Sequence, residues 1–141
     1  MSYDPNNPFA KVLRKELPSI PLFEDDATLA IMDIMPQADG HVLVLTKEPA
    51  ATLADMSAEG AARCMRTVHA LLPAICRAVG AEAAVVSQFN GAAAGQSVPH
   101  VHFHIIPRSP GVALRRHASQ RENPQTLAEL AARIRAELDR G

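Results

Sequence analysis

The sequence predicts an α+β domain built around a mostly antiparallel sheet. Five short segments rich in β-branched and aliphatic residues occur in neighbouring pairs, with few helical segments between them. Two longer segments carry apolar residues at helical spacing, one in the middle of the chain and one near its C-terminal end. Because few crossover helices separate the strands, antiparallel pairing is favoured.

Length and composition indicate one globular domain. The chain has 141 residues, of which 48% are hydrophobic and 21% charged, and its net charge is -1. This length supports a core without disulfide or metal support, and no global positive field attracts nucleic acid or a membrane surface. An anionic ligand must therefore be bound by a local site.

Location and redox state are predicted from features that the sequence lacks. No apolar run approaches the roughly 18 residues of a membrane span, and residues 1–7 lack the basic and apolar regions of a signal peptide. Cys64 and Cys76 lie too far apart on one predicted helix for a disulfide. We expect buried thiols in a cytoplasmic protein.

The N-terminal part is predicted to hold a short helix and three strands. The helix covers residues 9–15 and ends before Pro18. The three strands are rich in aliphatic residues and cover 22–24, 28–34 and 41–46. The first two strands are joined at Asp25-Asp26, which is typical of a hairpin.

A long helix is predicted after the third strand. Ser57 can cap its start, apolar residues continue to Val79, and Gly80 suits its exit. Pro73 lies inside this segment and lacks a backbone donor, so we expect a kink or break there.

The C-terminal part is predicted to hold two strands and a final helix. The strands cover 83–89 and 98–106, and the second is expected to stop at Pro107. Residues 111–123 are predicted to be a loop, and Asn123 caps a helix that begins at Pro124. Its apolar stripe consists of Leu127, Leu130, Ile134 and Leu138.

Three histidines alternate with apolar residues in the last predicted strand. Because side chains alternate between the faces of a strand, His100, His102 and His104 share one face. Three interpretations are open: hydrogen-bonded structural histidines, a zinc site, and nucleophilic catalysis. A zinc site usually has a Cys, Asp or Glu partner nearby, and none flanks this strand. Neutral imidazole is nucleophilic near pH 7, which favours catalysis.

The segment before this strand, residues 90–97, combines small side chains with two glycines. Such a loop can direct backbone N–H groups at an anion, and Gln96 and Ser97 add side-chain donors. The alternative is a simple hairpin turn. The position directly upstream of the histidine row favours an anion site.

The segment from residue 100 to 106 carries a known signature. The segment resembles the histidine-triad family, whose motif is His-φ-His-φ-His-φ-φ with φ an apolar residue. In this chain the motif reads His100-Val101-His102-Phe103-His104-Ile105-Ile106. Further segments similar to the family are 9–18, 23–26, 32–41 and 95–99. The resemblance covers most of residues 9–108, and the rest, 109–141, forms a C-terminal loop and helix in a single domain spanning 1–141.

The resemblance implies a fold and a reaction. The fold is a five-stranded antiparallel sheet with one long helix, here followed by a C-terminal helix, usually paired into a homodimer. His102 would attack the α-phosphorus of a small nucleotide and form a nucleotidyl-histidine intermediate, from which water releases a nucleoside monophosphate such as AMP. His104 would contact the phosphate or the bridging atom, and buried His100 would support the site, meeting His41.

The resemblance also implies binding residues. Gly95, Gln96 and Ser97 would line the phosphate site, and Asp33 would accept from the ribose hydroxyls. The base pocket would be apolar and consist of Phe9, Val12, Ile31 and Ile34. Phe89 stands where relatives often have Asn or Gln, so a phosphate contact is lost unless Asn90 takes that role through a bulge.

Some positions depart from the family pattern. Relatives with zinc carry Cys-x-x-Cys where this chain has Asn7 and Ala10, so we expect neither metal nor cofactor. A histidine at position 104 favours hydrolysis over nucleotide transfer. Candidate substrates are adenosine phosphoramidates, dinucleoside polyphosphates and nucleotide-linked metabolites. The compact size and the loop that ends in Gly40-His41 favour the phosphoramidase-like branch. A nucleotide-binding module with little catalysis is the alternative. His69 and His117 are expected to be structural or solvated.

Overall fold

A five-stranded antiparallel sheet forms the centre of the structure, a computed structural model that describes residues 2–140. The strands are β1 (Pro21–Glu24), β2 (Thr28–Met32), β3 (Val42–Thr46), β4 (Ala83–Ser87) and β5 (His102–Arg108). The α-helices are α1 (Pro8–Leu13), α2 (Ala58–Val79) and α3 (Pro124–Asp139), and short 3-10 turns cover Leu53–Asp55 and Ala92–Ala94. The strand order is β1-β2-β3-β5-β4, which confirms the predicted α+β fold.

The two faces of the sheet have different roles. On one face, β3 and β5 present Val44 beside Phe103, and Val42 beside Ile105. These side chains form the main core with α2 and α3. On the other face, Leu43 lies beside His104 and Leu45 beside His102. The predicted separation of histidines from core residues is confirmed for β5, and the histidines share their face with aliphatic side chains.

The long helix α2 runs without a break through Pro73, so the predicted break is wrong. Pro73 and the preceding turn at His69 are exposed, so water can satisfy the carbonyl that the proline leaves without a donor. The predicted ends are confirmed: the Ser57 hydroxyl accepts from the Gly60 N–H, and Gly80 closes the helix in the left-handed conformation. Cys64 is buried, as expected, whereas Cys76 is only half-buried.

The histidine strand β5 begins later and ends later than predicted. It starts at His102, so His100 precedes the strand, and it continues through Pro107 to Arg108. Pairing with β3 ends at Ile105, whereas β4 pairs as far as Arg108. Pro107 therefore lies where β5 has one strand neighbour, a position that tolerates a missing backbone donor.

Two other strands end earlier than predicted. β2 stops at Met32 rather than at residue 34, and β4 stops at Ser87 rather than at residue 89. The residues released from β2 form a loop over 33–41 that enters β3. Asp33 is therefore a loop residue beside the start of β3, where His41 also lies.

Residues 109–123 form a segment without helix or strand, here called the strap. It connects β5 to α3 and lies against the 33–41 loop, where the Arg115 N–H donates to the Gln37 carbonyl at 2.8 Å. After the strap, Asn123 caps α3 as predicted, and Leu127, Leu130 and Ile134 are buried against the core. None of the helices within residues 2–140 combines the length and apolarity that crossing a membrane requires.

Candidate active site

His102 has one nitrogen fixed by the backbone. Its Nδ1 lies 2.6 Å from the carbonyl oxygen of His100. A carbonyl only accepts, so Nδ1 must carry the hydrogen of this bond. In the neutral ring the other nitrogen, Nε2, then has a free lone pair. The structure thus gives His102 the tautomer that a nucleophile at Nε2 requires.

His100 lies between two hydrogen-bonding partners. Its Nε2 donates to the Thr46 carbonyl at 2.7 Å, so its Nδ1 accepts from the Tyr3 hydroxyl, also at 2.7 Å. The predicted contact with His41 is wrong. Since β3 and β5 are antiparallel, His41 lies at the end of β3 where β5 finishes, and His100 lies at the opposite end.

His41 instead pairs with His104. The Gln37 N–H donates to His41 Nδ1 at 3.0 Å, so in the neutral ring the hydrogen of His41 is on Nε2. Nε2 lies 2.9 Å from His104 Nδ1, which therefore accepts. The hydrogen of His104 must then be on its Nε2. The centroids of the His102 and His104 rings lie 5.0 Å apart. A ring with an N–H donor at Nε2 therefore stands next to the ring whose Nε2 lone pair is free.

Asp33 faces this histidine pair. One carboxylate oxygen lies 3.4 Å from His41 Nε2, and the other accepts from the Met35 N–H at 2.8 Å. The side chain is largely buried, and burial raises the pKa of the carboxyl group. Its predicted role toward a ribose stays a prediction.

Burial keeps the imidazoles uncharged. Desolvation lowers the pKa of His102 and of His41 to about 4, and that of His104 to about 3. The pKa of His100 is lowered for the same reason. Near neutral pH these four rings are neutral, so the tautomers given above apply.

An apolar wall stands beside the triad. The Phe9 ring meets His102 edge-on at 4.7 Å between centroids. Phe9 and Val12 of α1 pack against a buried cluster that contains Ile31. The structure thus brings together three of the four residues predicted for a base pocket. Ile34 is 39% exposed and lies outside that cluster.

The glycine loop is closed by its own side chains. The Gln96 amide donates to the carbonyls of Ala51 and Val98 and accepts from the Gly91 N–H. Asn90 accepts from the Leu53 N–H and exchanges hydrogen bonds with Gln88. A phosphate contact by the side chain of Gln96 or Asn90 would require giving up one of these bonds.

The other two loop residues predicted to bind phosphate are more accessible. Gly95 has a φ of 98°, which a residue with a side chain rarely adopts, and Ser97 is exposed at the end that leads to His100. Their predicted roles stay predictions.

Sequence reasoning missed or undervalued three aromatic rings at this site. Tyr3 holds His100, although no signal connects residues 97 positions apart. The centroids of the Phe89 and His104 rings lie 5.5 Å apart. The sequence indicated a special position here, because relatives often carry a polar residue in place of Phe89. His117 was expected to be structural or solvated. It is exposed, but its ring stands 6.0 Å from that of His104.

The zinc site of some relatives does not fit this chain. Asn7 uses its side chain to cap α1, accepting from the Ala10 N–H and donating to the Asp4 carbonyl. Neither position 7 nor position 10 carries a thiol, and both nitrogens of His100 are hydrogen-bonded. Asn7 and Ala10, which stand at the positions of the Cys-x-x-Cys ligands, are therefore joined in the cap of α1.

A different group of ligand atoms could hold a metal ion. One atom each from Asp33, His41 and His104 lies within 4.8 Å of the others. The same closeness follows from the hydrogen bond that joins the two imidazoles. Three protein ligands would leave a tetrahedral zinc ion with one open position. Elemental analysis of the purified protein would distinguish an ion from a shared hydrogen.

Comparisons with known proteins agree with this geometry. Adenosine 5'-monophosphoramidase hnt1 of Schizosaccharomyces pombe is 40% identical over 100 residues, which are 71% of this chain and 72% of that protein. Adenylylsulfatase HINT3 of Arabidopsis thaliana is 37% identical over 116 residues, covering 78% of this chain and 59% of that protein.

Solved structures agree as well. A Hit-like protein from Bartonella henselae, described as involved in cell-cycle regulation, superposes with a TM-score of 0.90 at 43% identity. That match covers 96% of this chain and 99% of the other. A Zn-bound histidine triad family protein from Mycobacterium smegmatis gives 0.81 at 29% identity, over 94% and 92% of the two chains. The HIT domain family model matches residues 14–111, and this chain belongs to the HIT domain family.

Proposed function

We propose that this chain hydrolyses nucleotide phosphates by attack of His102 on the α-phosphorus. The observation that carries the proposal is the bond from His102 Nδ1 to the His100 carbonyl, which leaves the Nε2 lone pair available. The names of two relatives, an adenosine 5'-monophosphoramidase and an adenylylsulfatase, support a nucleotide substrate.

The reaction would proceed in two displacements. In the first, His102 Nε2 forms a bond to phosphorus while the bond from phosphorus to the leaving group breaks. His104 Nε2–H donates a hydrogen bond to the leaving atom or to a phosphoryl oxygen, where negative charge develops. In the second, water attacks phosphorus, the bond to His102 breaks, and a nucleoside monophosphate such as AMP is released.

The remaining predicted residues would bind the nucleotide. Phe9, Val12 and Ile31 would contact the base, with Ile34 at its exposed side, and Asp33 would accept from the ribose hydroxyls. The phosphate would meet the loop residues Asn90, Gly95, Gln96 and Ser97. An apolar wall with few polar groups is typical of such sites, and the contacts of Phe9 and Val12 with the cluster around Ile31 support this arrangement.

Adenosine phosphoramidates and dinucleoside polyphosphates are the substrates that we propose. The resemblance to the family implies hydrolysis rather than nucleotide transfer, because position 104 is a histidine. The Nε2–H of His104 is directed by the hydrogen bond from His41, so it needs no rearrangement before reaction. Cleavage at the α-phosphorus of either class releases a nucleoside monophosphate, and the two classes differ in the leaving group.

A nucleotide-binding module with little catalysis is the second candidate. Phe89 supports it, because its ring stands edge-on to His104 at 5.5 Å, where relatives often carry a polar side chain. Calorimetry with AMP and a turnover assay on adenosine phosphoramidate separate the two candidates. Tight AMP binding without turnover by the wild-type chain would favour the module.

We also propose that two copies of the chain pair through β4. Within residues 2–140 this strand pairs only with β5, and its residues Val85 and Val86 are exposed. The opposite edge is protected, since β1 begins with Pro21, whose carbonyl accepts from Arg135. An unprotected edge without charge or proline supports antiparallel pairing with a second copy.

Substitution of the nucleophile tests the proposed reaction. We expect His102→Ala and His102→Gln to lower turnover of adenosine phosphoramidate by about three orders of magnitude or more, because no other lone pair replaces Nε2. AMP binding, measured by calorimetry, should survive in His102→Gln. His69→Ala, which removes an exposed imidazole from α2, is the matched control. Turnover near the wild-type rate in both His102 variants would exclude this mechanism.

A further inference from the structure

A fifth imidazole, besides His41 and the three rings of the triad, lies at this site. The His117 ring meets the His104 ring edge-to-face, with 6.0 Å between centroids. His104 is buried, whereas His117 is exposed. His117 also lies beyond residues 14–111, which the family model matches.

The strap holds His117 in place from both sides. Before it, the Arg115 N–H donates to the Gln37 carbonyl at 2.8 Å. After it, the Glu122 N–H donates to the Ile34 carbonyl at 2.9 Å. Both acceptors belong to the 33–41 loop that borders the site. His117 is thus mounted between two attachments on the same loop and is not carried by a free tail.

The buried hydrogen-bond network has no proton to spare for a leaving group. The hydrogen on His102 is used by the His100 carbonyl. His104 accepts at Nδ1 from His41, so release of its Nε2 hydrogen would leave an imidazolate anion. His41 cannot replace that proton, because its own Nδ1 faces the Gln37 peptide N–H, which is not an acid. An amine leaving group must nevertheless be protonated to depart.

We propose that His117 supplies this proton, an inference that rests on the proposed nucleotide hydrolysis. The imidazolium of His117 protonates the leaving atom as the bond from phosphorus to that atom breaks and the bond to His102 Nε2 forms. Neutral His117 then takes a proton from the water that attacks phosphorus, which restores the imidazolium as His102 departs. His117 is exposed, so its ring can exchange protons with solvent between the two steps, as this cycle requires.

The charged and titratable surroundings of His117 are compatible with this role. From the elements against the strap they are Asp33, His41, His102 and His104, and the strap itself adds Arg115, Arg116, Arg121 and Glu122. Arg115 is neutralised by Asp39 at 2.8 Å. The three buried imidazoles are neutral, so they add no positive charge beside His117.

Two substrates with the same adenylyl group test the proposal. One is an alkylamine phosphoramidate of AMP, whose leaving group needs a proton. The other is the p-nitrophenyl ester of AMP, whose leaving group is stable as an anion. We expect His117→Ala and His117→Gln to lower kcat/KM by about 100-fold or more on the phosphoramidate. On the ester we expect a change of less than about 3-fold, since no proton is needed.

A second measurement separates proton donation from a structural role. Added imidazole should restore kcat/KM for the phosphoramidate to His117→Ala and leave kcat/KM for the ester unchanged. The comparison uses kcat/KM because this quantity does not include the later attack of water, in which His117 also acts. His69→Ala should behave like the wild type on both substrates. Equal losses on both substrates, or no loss on either, would overturn the role of His117.

The two proposals fail in different ways. If His102→Ala is inactive and the His117 variants show no selective loss, only the inference about His117 falls. If the wild-type chain cleaves neither substrate, or if His102→Ala cleaves both, the proposed hydrolysis falls and the inference falls with it.

Discussion

At the scale of single residues, backbone carbonyls and amides decide which imidazole nitrogen is free. The His100 carbonyl fixes the hydrogen of His102, and the Gln37 amide fixes that of His41 and, through it, that of His104. None of these groups can exchange the roles of donor and acceptor. The main chain therefore determines which nitrogen of each imidazole carries the hydrogen and which has the free lone pair.

Tyr3 gives a prediction at this scale. Its hydroxyl donates to His100 Nδ1 at 2.7 Å, and Tyr3→Phe would leave that buried nitrogen without a partner. We expect the free energy of unfolding to fall by about 1–2 kcal/mol, measured by urea denaturation. Turnover should fall by less than about tenfold, because the carbonyl that orients His102 remains. An unchanged unfolding free energy would show that water replaces the hydroxyl.

The alternation of histidines allowed their shared face to be predicted, but not their partners. Period-two alternation depends only on local backbone geometry, so the facing of His102 and His104 followed from the sequence. The contacts of His100 with Tyr3 and Thr46 depend on register and on a distant segment. Local pattern carries no information about either, and the contact with His41 that the family resemblance implied is wrong.

At the scale of elements, sequence patterns located the three α-helices and the five strands, whereas two prolines led to wrong expectations. Pro73 did not break α2, and Pro107 did not end β5. In both cases the cost of the missing proline N–H depends on whether water or another group can bond to the carbonyl that it leaves without a donor. That depends on the tertiary structure around the proline. The sequence gives the position of a proline but not its tertiary surroundings.

The edge strand β4 gives a prediction at this scale. If two copies pair through it, Val86→Lys should place like charges close together across the two-fold axis and weaken the dimer. We expect sedimentation equilibrium to show a dimer for the wild type and a largely monomeric species for the variant. Val112→Lys, at a strap position that is 60% exposed, is the control and should remain dimeric. A monomeric wild type at high concentration would contradict the proposed pairing.

At the scale of the whole molecule, folding buries uncharged imidazoles that the unfolded chain exposes. His41, His102 and His104 have pKa values of about 4, 4 and 3 in the folded state, below the ordinary value of 6.5. As pH falls below 6.5 the unfolded chain binds protons first. Stability contributed by these groups is therefore complete above that pH and is lost progressively down to the folded pKa values.

This difference gives a prediction for acid stability. Between pH 7 and pH 5 we expect the free energy of unfolding to fall by about 2 kcal/mol for each of the three imidazoles. Urea denaturation at several pH values measures the slope. His104→Asn should make the slope shallower, whereas His69→Gln, which removes an exposed ring, should leave it unchanged. A flat profile over this interval would mean that the rings are charged or hydrated in the folded chain.

The position of the strap could not be predicted from the sequence. Residues 111–123 carry no periodicity, so they were correctly expected to form a loop, but a loop without pattern has no predicted neighbour. Their attachment is made by backbone groups of Arg115 and Glu122, and such bonds are available to any residue type. The nearness of His117 to His104 follows from these bonds alone.

Gln37 joins two parts of the molecule through a single residue. Its amide nitrogen holds His41, and its carbonyl holds the strap. Truncation of the chain ahead of position 115 would therefore remove more than one side chain. It would also remove the hydrogen bond to the Gln37 carbonyl, in the residue whose N–H sets the tautomer of His41. A shortened protein and a point variant at His117 would therefore be different experiments.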